Sequence, residues 1–294
     1  MRWIFIWRLL APLALVACST RSCHEPADAA PIESAERAIK GFRCGADQAP
    51  KPQAERDTRM VATIDRALEF FEGSRDPYAL IMLDVLRRRF GVASFDDALS
   101  RYDELVREDP RRDPMLRVFR RIVDHDNKLQ PGDDAAVTLL VDQLTVPALY
   151  CDRTPPPSNY GALLDAANGS GGYLRTHALL SLQWLRENGC AMPAAADYEK
   201  ALLDGVAGLI VDDGAASDLE LEAAGFLYAY GRGDMVHPTF VDEVMAQQND
   251  DGGWLVGVSE QRGSDWHASI IATYLLLHAY CGERAYPPML APAP

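Results

Sequence analysis

The stretch "AQQNDDGGW", Ala246 to Trp254, joins two apolar segments near the C-terminus. Two glutamines run into Asn249, Asp250 and Asp251, two glycines follow, and Trp254 closes the run. Three oxygen-bearing side chains in sequence suggest calcium, but the later ligands and the bidentate Glu of an EF-hand are missing. Turn chemistry accounts for the residues better. Gly252 and Gly253 permit a tight reversal after a helix. Asn and Asp satisfy backbone groups that such a reversal frees. Trp254 supplies a large apolar area and one indole donor.

Working outward, the pattern is helical almost throughout. "TRMVATIDRALEFF" places Val61, Ile64, Ala67, Leu68 and Phe71 on one face. "DPYALIMLDVLRRRFG" is amphipathic and stops at Gly91. "SFDDALSRYDELVRED" and "SDLELEAAGFLYAYGR" each carry a capping-box spacing, from Ser94 and from Ser217 with Glu220. "DPMLRVFRRIVDHD" and "DDAAVTLLVDQLTVPALY" open on acids that suit a helix N-terminus, and prolines at 155–157 break the chain. Two long apolar segments, 171–189 and 264–282, dominate the second half. No alternating run is long enough for a strand, so the expected class is all-α.

Two segments share an order of features: "NGSGGYLRTHALLSLQWLRENGC" and "NDDGGWLVGVSEQRGSDWHASIIATYLLLHAYCG". Each has an Asn-containing loop, Gly-Gly, an aromatic residue, a His-Ala pair opening an apolar helix, and a terminal Gly and Cys. This reads as a repeat of helical hairpins. Gln248 to Trp254 resembles the QW motif, commonly Q-x-x-D-G-G-W. That motif recurs in the prenyltransferase and terpenoid cyclase-like toroid superfamily. Residues 168–173 are a degenerate copy with Tyr173 in place of Trp. The resemblance implies an α/α-toroid-like array, complete or partial, over 56–284. It also implies a structural role for Gln248, Gly252, Gly253 and Trp254, with Gln248 and Trp254 clasping hairpins and the indole donating to the Gln carbonyl. It does not bring the chemistry: neither D-x-D-D nor D-D-x-x-D is present.

The N-terminus reads as a targeting segment. Arg2 and Arg8 precede a short apolar run, Leu9–Ala17, that is too short to span a bilayer. It ends in Leu15-Val16-Ala17-Cys18, which resembles the lipobox of bacterial lipoproteins. That resemblance implies a signal peptide at 1–17, lipidation of Cys18 and a lipid-anchored protein of the cell envelope. Ser19 after the cysteine favours the outer membrane or cell surface. Residues 18–55 read as a flexible tether and 285–294 as a Pro-rich tail. A formal net charge of −14 and the lack of a basic stripe argue against nucleic acid. Five cysteines remain after Cys18. An oxidising compartment permits disulfides, with Cys151 and Cys190 the preferred pair and single buried thiols the alternative.

Six histidines make that residue type informative. His177 and His267 open the two apolar helices at matching positions. With Glu222 or Glu220 from the segment between them they form two His and a carboxylate, a set that suits a divalent metal. The plainer account makes both histidines core or cap residues, with Glu220 capping and Glu222 favouring the helix dipole. A lyase-type set is also available from Tyr160, Tyr173, His177 and Tyr274, although Arg175 is nearly the only cation to neutralise a uronate. Two function classes follow. One is binding of a small molecule, glycan or protein through a concave helical funnel. The other is a toroidal hydrolase or polysaccharide lyase, metal-dependent or not, with His177, His267 and Tyr173 catalytic. The sequence leaves open whether the protein is an enzyme.

Overall fold

The computed structural model describes residues 41–44, 54–109, 113–191, 196–211, 213–254 and 263–293. The signal segment, Cys18 and most of the tether lie outside the described residues. Among those described, the regular structure is helical and no strand forms. In chain order the α-helices are α1 (Ala54–Phe70), α2 (Pro77–Phe90), α3 (Ala98–Glu108), α4 (Pro114–Phe119), α5 (Leu140–Leu149), α6 (Tyr160–Ser170), α7 (Gly172–Glu187), α8 (Ala196–Ala207), α9 (Asp218–Ala229), α10 (Pro238–Ala246) and α11 (Trp266–Cys281). None is long and apolar enough to cross a membrane.

Local chemistry sets the ends that matter. Asp76 caps α2 by accepting from the Tyr78 and Ala79 amides, Pro77 opens the helix, and Gly91 ends it at φ +60°. Ser217 and Glu220 form the reciprocal capping box of α9. The Ser94 spacing does not do the same. Residues 93–95 form a 3₁₀ turn instead, and α3 starts after Asp97 with no side-chain cap. The acid-rich start of the 133–150 segment is likewise a 3₁₀ turn at Asp133–Ala136, so α5 begins only at Leu140.

Packing follows apolarity. α11 is buried along nearly its whole length, from Ala268 to His278, as expected of a helix that is apolar all round. A row of neighbours runs α5, α7, α9, α11, α2, and the less buried α1, α3, α6, α8 and α10 lie against it. This arrangement is compatible with an α/α array.

The opening loop is a turn, and its two glycines are sterically required. A Cβ on Gly252, which sits at φ +91°, would lie 2.3 Å from the Arg66 carbonyl oxygen. A Cβ on Gly253 would lie 2.4 Å from Cβ of Ser264. Asp251 accepts from the Gly253 amide and the Ser264 hydroxyl. Gln248 reaches α1, donating to the Thr63 carbonyl at 2.8 Å and to that of Gly252 at 2.8 Å. Trp254 is 2% exposed, but its indole donates to the Val244 carbonyl of α10 at 2.7 Å, not to Gln248. The clasp therefore has two separate ends, one on α1 and one on α10.

The supposed second copy differs. Asn168, Gly169 and Ser170 belong to α6, so no Asn-containing loop exists there, and Gly171 and Gly172 make the break. Tyr173 is 42% exposed and is not seated in the core as Trp254 is; its hydroxyl instead reaches Asp218 of α9. A Tyr hydroxyl that can meet solvent lacks the apolar drive of a Trp indole.

Both ends of the body are stapled. Phe42 is buried, the Arg43 amide donates to the Phe90 carbonyl, and Cys44 is disulfide-bonded to Cys281. A second disulfide joins Cys151 to Cys190. The Pro-rich end is also packed, with Met289 and Leu290 buried. Arg88 donates to the carbonyls of Pro288 and Met289, Arg89 to that of Pro287, and Glu187 accepts the Met289 and Leu290 amides.

Candidate functional site

α7, α9 and α11 bring His177, Glu222 and His267 together. Glu222 is buried at the centre of α9, with 1% of its side chain exposed. Its Oε1 lies 3.1 Å from Nδ1 of His177 on α7, and its Oε2 lies 3.6 Å from Nε2 of His267 on α11. Thr176 donates its hydroxyl to Oε1. One turn earlier on α9, Asp218 lies 2.9 Å from Nδ1 of His267 and accepts from the Tyr173 hydroxyl at 2.7 Å. A continuous chain runs Tyr173, Asp218, His267, Glu222, His177.

The loop at 246–254 positions one end of this chain. The Trp254 amide donates to the Ser269 hydroxyl, and the Asp265 amide donates to the Trp254 carbonyl. Asp265 then caps α11 by accepting from the His267 and Ala268 amides. The loop thus fixes where α11 begins and where His267 stands.

The hydrogen bonds also fix a tautomer. Nδ1 of His177 lies 2.9 Å from the Tyr173 carbonyl oxygen, which can only accept. That nitrogen must carry the proton when the ring is neutral, and Nε2 is left as an acceptor. His267 is held in the same sense by Asp218.

Burial alone would lower the His267 pKa, but the Asp218 hydrogen bond and the charges of Asp218, Glu222 and Asp265 raise it overall. Burial would raise Asp218, but the hydrogen bonds from His267 and Tyr173 lower it overall. Tyr173 is pushed well up by burial and by its bond to Asp218. The raised His267 adds stability that is complete below its unfolded value and is lost as pH rises through the folded one. The lowered Asp218 adds stability present above its unfolded value and lost as pH falls through the folded one. The pair is therefore most stabilising between about pH 4 and 6.5. Urea unfolding from pH 6 to 9 is expected to show falling stability, and His267→Gln to flatten that fall. An unchanged slope in the variant would remove His267 as its source.

The two histidines and Glu222 line a cavity of about 150 Å³, whose other walls include Tyr78, Phe119, Leu180, Trp184, Phe226, Trp266, Ile271 and Met289. Tyr78 and Trp266 stack with centroids 6.1 Å apart. Trp184 is 3% exposed, and its indole N–H has no hydrogen-bond partner among the described residues. The walls contain no Arg or Lys.

No known protein family, curated protein or solved structure matches the chain.

The other sequence candidates disperse. Tyr160 donates to the Leu144 carbonyl, and Tyr274 is fully buried against Phe90 and His278. Arg175 is spent on the carbonyls of Asn168 and Gly205. Glu220 serves the capping box and the Val211 amide. Among the described residues no group of three His, Cys, Asp or Glu side chains is arranged to hold a metal ion. The proton on Nδ1 of His177 also turns that nitrogen from a ligand into a donor. Asp218 and Thr176 were missed by sequence reasoning. Asp218 stands four residues before Glu222, so the two acids share one face of α9; that spacing was the available signal.

Proposed function

We propose that the cavity binds a small single-ring aromatic molecule carrying a hydroxyl. The observation that carries this reading is the pairing of apolar walls with one polar end, where Glu222 holds Nδ1 of His177 and leaves its Nε2 as the acceptor. An apolar cavity of about 150 Å³ suffices for a benzene-sized ring. Nε2 takes the hydroxyl proton, and the unpartnered Trp184 indole favours an acceptor elsewhere on the ring. Phenol titrated against the fluorescence of Trp184 and Trp266 is expected to saturate with Kd on the order of 1 mM, and toluene to bind at least about tenfold more weakly. Glu222→Gln should remove most of that preference, because the charge behind His177 strengthens its acceptor. Equal affinity for phenol and toluene, or no saturation with either, overturns the reading.

A second reading, acid–base catalysis, is favoured by the same His177 and Glu222 contact, in which the carboxylate would stabilise the imidazolium after proton abstraction. Deuterium exchange into acetophenone that is lost in His177→Gln would favour it over binding. A uronate lyase fits less well, since the walls carry no Arg or Lys for the substrate carboxylate and His267 is already paired with Asp218.

The setting proposed is a lipoprotein of the cell envelope, anchored through Cys18, with its helices closing toward an α/α toroid around this cavity. Two disulfides among the described residues support an oxidising compartment. The row of neighbouring helices and the loop at 246–254 support the toroid. The acidic net charge speaks against nucleic acid as a partner.

A further inference from the structure

A second, larger cavity of about 560 Å³ lies across the C-terminal segment, which contributes Pro288 to its wall and Met289 to that of the first. Its lining includes Arg89 of α2, Glu187 of α7, Tyr228 of α9, His278 of α11, and Arg284 and Tyr286 beyond α11. Three polar atoms here are buried with no hydrogen-bond partner among the described residues: Nε of Arg89, Nε2 of His278 and Nε of Arg284. Native interiors seldom leave such groups unpaired, so each asks for an explanation.

The charges explain what would satisfy them. Arg89 has only 4% of its side chain exposed and stands 3.9 Å from Glu187, beyond hydrogen-bond reach. The Glu187 carboxylate is already taken by Gln183 and by the amides of Met289 and Leu290. Arg284 donates to the Cys281 carbonyl and has no ion pair with an acid among the described residues. Both guanidinium groups lie over the Tyr286 ring, at 5.2 and 5.9 Å from its centroid. The remaining lining charges are otherwise engaged or at the edge. Arg186 pairs with Glu199, Asp234 with Arg232, and Glu283 is exposed. His278 is 1% exposed, sits 4.3 Å from the Tyr286 ring, and is stacked by Tyr228 at 5.9 Å. Burial and the Arg89 charge push its pKa well down, so the ring is neutral and adds no positive charge.

We propose that this cavity is a second ligand site, for an aromatic carboxylate whose carboxyl group sits between Arg89 and Arg284 and whose ring lies against Tyr228 and Tyr286. Two under-paired guanidinium groups supply the forked donors that carboxylates take. The tyrosines supply the flat wall, and Nε2 of His278 meets a further polar group of the ligand. The site stands apart from the first cavity, whose walls carry no Arg or Lys.

Benzoate and benzamide, titrated into the purified full chain, separate charge recognition from ring binding. Benzoate is expected to bind at least about tenfold more tightly than benzamide, with a shift in the His278 ring resonances. Arg284→Gln, an alteration beyond the last helix, is expected to lower benzoate affinity about tenfold and leave phenol binding unchanged. The proposal is overturned by equal affinity for benzoate and benzamide. It is also overturned by benzoate binding that leaves the His278 resonances in place, or that survives Arg284→Gln undiminished. Phenol results bear only on the first cavity, so the two sites fail separately.

Discussion

Trp254→Ala is expected to lower the free energy of unfolding by about 3–5 kcal/mol, the range for truncating a buried aromatic. Trp254 is 2% exposed, and its indole holds the Val244 carbonyl of α10. Its backbone ties the loop to Ser269 and Asp265, so the cavity left behind sits beneath the start of α11. Urea denaturation measures this as a lower midpoint with an unchanged slope. Because α11 carries His267, phenol affinity in the first cavity should fall with stability. A loss well under about 1 kcal/mol would mean that the loop relaxes around the missing ring and that Trp254 does not hold α10 to α11.

Removing the disulfide between Cys44 and Cys281, as Cys44→Ala with Cys281→Ala, should have a comparable effect. The bond spans 237 residues, nearly the whole body, and so restricts the unfolded chain strongly. The expected loss is roughly 2–5 kcal/mol. Removing the bond between Cys151 and Cys190, which spans 39 residues, should cost less on the same grounds. Thermal unfolding of the two double variants compares them directly. An equal or reversed order would show that native packing around each bond, and not the length of chain it closes, sets its contribution.

Much of the fold was legible because its signals are local. Asp76 and Pro77 before an apolar run, Gly91 after it, and the Ser217 and Glu220 spacing all act within one turn of a helix. The glycines of the 246–254 loop belong to the same class. The Ser94 spacing misled because a 3₁₀ turn competed with the cap. The 168–173 copy misled because helix α6 runs through its Asn. The site was only half visible. His177, His267 and Glu222 could be named as a set, but their meeting depends on three separate helices, with Glu222 standing 45 residues after His177 and 45 before His267. That meeting is a packing outcome without a sequence pattern. Asp218 could have been found from its four-residue spacing to Glu222. The Arg89, His278 and Arg284 cluster could not, since it needs the chain's final residues folded back on α2.

That return of the final residues has a consequence for how the molecule comes into being. α1 and α2 pack on α11, Arg88 and Arg89 hold the backbone at 287–290, and Cys44 is tied to Cys281. The first and last parts of the body are thus mutual contacts separated by about 200 residues. Such contacts raise the contact order above that of a chain with helical neighbours alone, which slows folding. α2 can pack early against α3 and α4, but the contacts of α1 and α2 with α11 and with residues 287–290 form only after the intervening helices have been made.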